Sequence, residues 1–138
     1  MSSYKKISEI GITKSNSYSS KKESFETKSV TVPSILSISD KTNVISNNKI
    51  CLFYIYADWC GPCTSTKPIF DQLYEKYNMP GFVSLFKENV DLQLSQNIQA
   101  IPAFKFFVDG KEHITITGAL MDDVEAEIVK LANNSKPQ

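Results

Sequence analysis

The sequence predicts an α/β domain: a mixed β-sheet with helices on both faces and an antiparallel hairpin at one edge. Three observations predict it. Ile50-Cys51-Leu52-Phe53-Tyr54-Ile55-Tyr56 is an unbroken apolar and aromatic run, as expected of a central strand buried on both faces. Two longer segments, Cys63 to Tyr77 and Met121 to Ala132, repeat apolar residues at helical spacing. Asp109-Gly110 lies between two strand-like runs, which is a hairpin signal.

Taken in order, the chain opens on a segment unlike the rest. Residues 1–29 hold nine Ser, six Lys and three Glu, with few large apolar side chains. Such a stretch buries too little surface to offset its ordering entropy, so 1–30 is read as a tail and 31–138 as the domain. The tail's net charge of +3 leaves −3 for the remainder. A basic, Ser-rich start invites a transit-peptide reading, which the absence of Arg and the three Glu weaken. Ile35 to Ile38 is a short strand candidate, and Ser39-Asp40 offers caps for a helix to about Ile45, broken at Asn47-Asn48. After the central strand comes the helix Cys63 to Tyr77, with Ile69, Phe70, Leu73, Tyr74 and Tyr77 facing inward and Pro68 removing one backbone hydrogen bond. Phe82 to Phe86 is the next strand, and Asp91 to Gln96 a short helix or turn. Ala103 to Val108 and His113 to Thr117 form the hairpin, and Gly118 breaks its ladder. Val124, Ile128 and Leu131 face inward from the last helix.

Composition narrows the functions available. The 138 residues suit one domain. Fifteen basic and fifteen acidic residues cancel, so no global field draws the chain to nucleic acid or an acidic membrane. Every basic residue is Lys, against the bidentate phosphate and base contacts for which Arg is preferred. No apolar run reaches the 18 or so residues of a membrane span. No charged and then apolar leader opens the chain, and three cysteines are too few for a disulfide-stapled secreted scaffold. The expected location is the cytoplasm.

Trp59-Cys60-Gly61-Pro62-Cys63 stands where the buried strand turns into a helix. The start of a helix carries unpaired N–H groups and the positive pole of its dipole. A sulfur there is stabilised as thiolate, making Cys60 the expected attacking group. Cys63 follows one helical turn later on the same side, within reach of a disulfide, as the expected resolving thiol. Pro62 lacks an N–H that the first turn leaves unpaired anyway. Dithiol–disulfide exchange needs no cofactor, and no GxGxxG for a dinucleotide occurs. A zinc site would need Cys51 and His113 as further ligands, and neither has partner spacing. A Cys–His hydrolase leaves the second cysteine without a role. Cys51 reads as a buried small hydrophobe and His113 as an exposed strand residue.

Over about residues 32–134 the sequence resembles the thioredoxin family. The resemblance is carried by Ala57-Asp58-Trp59-Cys60-Gly61-Pro62-Cys63, by Pro68, by Lys87-Glu88-Asn89-Val90-Asp91, by Ala100-Ile101-Pro102, by Asp109-Gly110 and by Thr117-Gly118-Ala119. It implies the thioredoxin fold, disulfide exchange on protein substrates, and a cis bond at Ile101-Pro102 beside the two sulfurs. It also implies a docking groove made of Trp59, Gly61, Pro62, Ile101, Pro102, Gly118 and Ala119, where the backbone at Ile101 pairs with an extended substrate. Electrons would come from an external donor such as an NADPH-dependent thioredoxin reductase.

The sequence departs from the family at three places. Tyr54 stands where the family has a buried acid assisting proton transfer at the second cysteine, and a phenol of pKa about 10 is no base near neutrality. Lys87, which matches the lysine beside that acid, is left without it or else is a snorkelling surface residue. Thr64 replaces a common cation, and Leu92 to Ile101 is shorter than the family pattern, so the third helix is expected to be short or irregular. A disulfide reductase is the leading reading. A disulfide oxidase or isomerase, and a non-enzymatic binding or assembly module, are the alternatives.

Overall fold

The structure is a computed structural model that describes residues 31–135. Segment 1–30, read above as a tail, and residues 136–138 lie outside the described residues. The elements are α1 (Ile38–Asn47), β1 (Ile50–Tyr56), α2 (Gly61–Tyr77), β2 (Val83–Asn89), a 3-10 turn (Val90–Leu92), β3 (Ala103–Val108), β4 (Lys111–Thr117) and α3 (Met121–Ser135). The sheet order is β2-β1-β3-β4. β1 and β2 are parallel, while β1–β3 and β3–β4 are antiparallel. No helix among the described residues is long and apolar enough to cross a membrane.

The unbroken apolar run of β1 has the expected cause. Ile50, Leu52 and Tyr54 face one core with Phe70, Leu73, Phe104, Phe106, Val124 and Ile128, drawn from α2, β3 and α3. Cys51, Phe53 and Ile55 face a second core with Ile35, Phe86 and Ala103, closed by Val44 and Ile45 of α1. Each face therefore demands apolar residues, and the usual alternation disappears.

Several sequence expectations are corrected. The stretch Ile35 to Ile38 is not a strand. Ser34 makes a single parallel bridge to Lys87, and the chain then leaves the sheet with Leu36 and Ile38 exposed. The cap of α1 is Ser37 rather than Ser39 or Asp40, its hydroxyl accepting from Asp40 N–H at 3.0 Å. On α2, Ile69 is 40% exposed and the inward position is taken by Thr66. Positions 63, 66, 70 and 73 make the buried stripe, spaced by three and four as a helix requires. Residues 93–101 form no helix after the 3-10 turn, and Gln93 and Asn97 adopt positive φ of 57° and 62°.

Candidate active site

β1 ends at Tyr56, and four residues later Cys60 caps α2. The Cys60 sulfur occupies the place of a capping oxygen, accepting the Cys63 backbone N–H at 3.2 Å. Pro62 sits in the first turn, where no N–H is missed. Cys60 and Cys63 are joined by a disulfide with Cα atoms 5.3 Å apart. The two are nearly equally buried, at 6% and 4% exposure, in this oxidised form.

The pair packs with Ala57 against Tyr56, Val90 and Ile101. Ile101-Pro102 is a cis peptide. The Pro102 carbonyl accepts the Gly118 N–H at 2.8 Å, tying the start of β3 to the end of β4. Gly118 has φ +102°, where a side chain is strained although a Cβ would meet only Leu120 at 3.9 Å. The requirement there is conformational, not steric. Of the expected groove residues, Trp59, Gly61, Pro62 and Ala119 are exposed, Ile101 and Gly118 half-buried and Pro102 buried. The Trp59 ring is 68% exposed, with its indole N–H donating to Asp91 Oδ2 at 3.1 Å. Asp91 was not singled out from sequence as a partner of Trp59.

Behind Cys63 lies a cavity of about 250 Å³, lined by Tyr54, Tyr56, Asp58, Cys63, Lys67 and Lys87 among others. Tyr54 does not offer its hydroxyl to the sulfur. It donates to the Cys63 carbonyl at 2.9 Å and lies 2.8 Å from Thr66 Oγ1, which also bonds that carbonyl. Burial pushes the Tyr54 phenol above its ordinary value, more than the Thr66 hydrogen bond draws it down. Lys87 has no carboxylate partner among the described residues. Thr66 was missed in the sequence because a hydroxyl in an apolar stripe registers as an interruption. Its spacing from Cys63 and Phe70 was the available signal.

Cys51 and His113 lie apart from this pair. Cys51 is buried in the second core, its thiol pushed up to about 12 by burial and donating to the Val44 carbonyl at 3.4 Å. His113 is exposed on β4, its Nε2 2.9 Å from Glu127 Oε2 on α3.

The geometry places a cysteine pair at a helix start, after the end of β1, packed against Ile101 of the cis Ile101-Pro102 peptide that precedes β3. Known proteins are similar to this chain in sequence and fold. The Thioredoxin family profile matches residues 33–130. A thioredoxin of Neurospora crassa is 33% identical over 94 residues, covering 65% of this chain and 73% of the relative. Thioredoxin-like protein 1 of Schizosaccharomyces pombe is 38% identical over 84 residues, covering 58% of this chain but only 29% of that longer protein. Oxidised mitochondrial thioredoxin 3 of Saccharomyces cerevisiae superposes with a TM-score of 0.66 at 26% identity, covering 72% of this chain and 94% of the other. A profile spanning more than half the chain, joined to a cysteine pair already closed as a disulfide, makes this chain a member of the thioredoxin family and a thiol–disulfide oxidoreductase.

Proposed function

We propose that the chain is a reductase of protein disulfides, with Cys60 as nucleophile and Cys63 as resolving thiol. The observation that supports this most is the Cys63 N–H aimed at the Cys60 sulfur at the start of α2. In the reduced protein that donor and the helix dipole stabilise a thiolate on Cys60. The thiolate attacks one sulfur of a substrate disulfide, forming a mixed disulfide and expelling a substrate thiolate, which takes a proton from solvent. Cys63 loses its proton and attacks the Cys60 sulfur, the mixed disulfide breaks, and the second substrate thiolate leaves. The second thiolate also takes a proton from solvent, so the substrate gains two electrons from the cysteine pair and two protons, and the protein is left with its Cys60–Cys63 disulfide, the state seen in the structure.

Trp59, Gly61, Pro62, Ile101, Pro102, Gly118 and Ala119 form the docking surface in this reading, with the Ile101 backbone open to pair with an extended segment. The return of electrons requires an external dithiol donor, for which a reductase of the thioredoxin system, working in a reducing compartment, is the natural class. Lys87 and Tyr54 border the space through which the Cys63 proton leaves.

In an insulin-reduction assay driven by dithiothreitol, Cys60→Ser is expected to abolish the rate and Cys63→Ser to accumulate mixed disulfides with substrate. Full activity in Cys60→Ser would overturn the assignment of nucleophile. The equilibrium reduction potential of the pair against glutathione separates a reductant from an oxidase or isomerase.

A further inference from the structure

The second face of the sheet holds a buried charge cluster that the exchange chemistry does not use. Residues 84, 86 and 88 of β2 share that face, and Glu88, 1% exposed, lies in register with Ile55 and, beyond it, Ala103. Its Oε1 is 2.9 Å from Lys41 Nζ of α1, a coulombic contact outside hydrogen-bond angles. Its Oε2 accepts the Ser95 hydroxyl at 2.6 Å. Lys41, itself 7% exposed, also donates to the Leu94 carbonyl at 3.1 Å and to Ser95 Oγ at 2.6 Å, with its ammonium 5.0 Å from the Phe53 ring centre. Lys105 of β3 reaches the Gln96 carbonyl at 3.4 Å and pairs with Glu112 at 2.7 Å.

Three consecutive loop residues, Leu94, Ser95 and Gln96, are thus each held by a charged side chain. The reason is local. Residues 93–101 form no helix, so their carbonyls lack the N–H partners a helix would provide, and two ammonium groups serve instead. The same loop carries Ile101 into the active site. Val90 and Ile101 pack against both the second core and the Ala57–Cys60–Cys63 cluster, so that core and the disulfide share two side chains, of which Ile101 belongs to the clamped loop.

We propose that Lys41, Glu88 and Ser95 are positioning residues that fix the loop 94–101 and thereby set the placement of Ile101 for docking of protein substrates. The proposal deepens the disulfide-reductase reading and rests on it for its kinetic arm. A buried ion pair contributes little net stability against an apolar pair of similar volume, whereas removing one partner strands a charge. The informative variant is therefore the double substitution Lys41→Met with Glu88→Leu, which preserves the fold and releases the loop. Its KM for insulin is expected to rise about five- to tenfold, while kcat and the rate with a small disulfide, dithiobis-nitrobenzoate, stay within about twofold. A wild-type KM in the folded double variant overturns the proposal.

Ser95→Ala removes a single hydroxyl on the loop and keeps the charge pair. In this variant, hydrogen exchange of amides 94–101 in the full chain is expected to accelerate about tenfold, with the amides of β1 unchanged. Unchanged protection of the loop overturns the proposal even if the double variant does not fold. The exchange measurement needs no activity, so an inactive parent protein would reject the reductase reading and leave the loop clamp to be judged by itself.

Discussion

Tyr54 shows how one residue can alter a shared chemistry without moving the cysteines. Its ring lies between Phe104 at 5.2 Å and Phe70 at 4.9 Å, and its hydroxyl satisfies the Cys63 carbonyl and Thr66. The phenol is a structural polar group, raised by burial beyond use as a base. Tyr54→Phe is accordingly expected to lower stability by about 1 kcal/mol and leave the rate of disulfide reduction unchanged. Tyr54→Asp places a carboxylate beside the cavity behind Cys63 and is expected to speed reduction near neutral pH, through faster loss of the Cys63 proton. It also removes a large buried ring, a loss of about 3–5 kcal/mol, so rates must be compared below the unfolding transition. A slower rate in folded Tyr54→Asp, or a marked loss in Tyr54→Phe, would show that the phenol takes part. Cys51 gives a second check at this scale. With its thiol pushed up to about 12 and buried, the reduced native protein is expected to titrate two thiols with a neutral reagent and the third only after unfolding. The reactive pair was legible in the sequence because its spacing and helix-start context define its chemistry. Thr66 and Asp91 were not, since a polar partner becomes visible only when the fold brings it to the atom it satisfies.

Among the elements, the ones read correctly are those whose pattern is set by their own burial. β1 and β3 are sandwiched between two cores, and α3 turns Val124, Ile128 and Leu131 inward with a clear polar face. The misread ones depend on neighbours. Ile35 is buried but Leu36 and Ile38 are not, because a single bridge at Ser34 ends the pairing before any alternation develops. Glu88 sits at an inward strand position made tolerable by partners remote from β2, Lys41, 47 positions earlier, and Ser95 in the loop. The junction of α2 with α3 offers a prediction of its own. Lys76 Nζ lies 3.0 Å from Glu125 Oε2, and the Tyr77 hydroxyl donates to the same oxygen. The Tyr77 hydrogen bond chiefly, with Lys76 assisting against burial, holds the Glu125 carboxyl below its ordinary value of 4.5. A carboxyl lowered by folding contributes stability that is present above its unfolded value and fades as pH falls through the folded one. Lys76, raised mainly by its bond to Glu125, contributes in the opposite sense, fully below its unfolded value and lost as pH rises through the folded one. Glu125→Gln is therefore expected to lower stability at pH 7 by about 1 kcal/mol or less, given the exposure of the pair. The difference from wild type should close in urea titrations below about pH 4. A gap that stays constant to pH 3 would place the role of Glu125 in packing instead.

In the whole molecule, the sheet divides two cores of different character. The α2–α3 side is mainly apolar and aromatic, with Tyr54, Phe70, Phe104 and Phe106 at its centre and no buried charge pair among the described residues. The α1 side mixes Phe53, Ile55 and Phe86 with the Lys41–Glu88 pair and the clamped loop. This asymmetry suits the two demands on the fold. One side supplies stability, and the other holds an irregular segment where the active site needs Ile101. Phe104 tests the division. Fully buried in β3, it stacks on Tyr54 and approaches Phe70 at 6.1 Å. Phe104→Ala empties the centre of the apolar side and is expected to lose about 3–5 kcal/mol, a large share of the roughly 5–15 kcal/mol that holds a domain folded. Ile114→Ala, on the outer strand β4 and 38% exposed, is expected to change stability by about 0.5 kcal/mol or less. Lys41→Met with Glu88→Leu belongs to the other side and is expected to fall near zero. Guanidinium melts of the three variants rank the contributions directly. If the charge-pair double variant lost as much as Phe104→Ala, the α1 side would be the stabilising core, and the loop clamp would be part of the folding energy instead of a device for docking substrate.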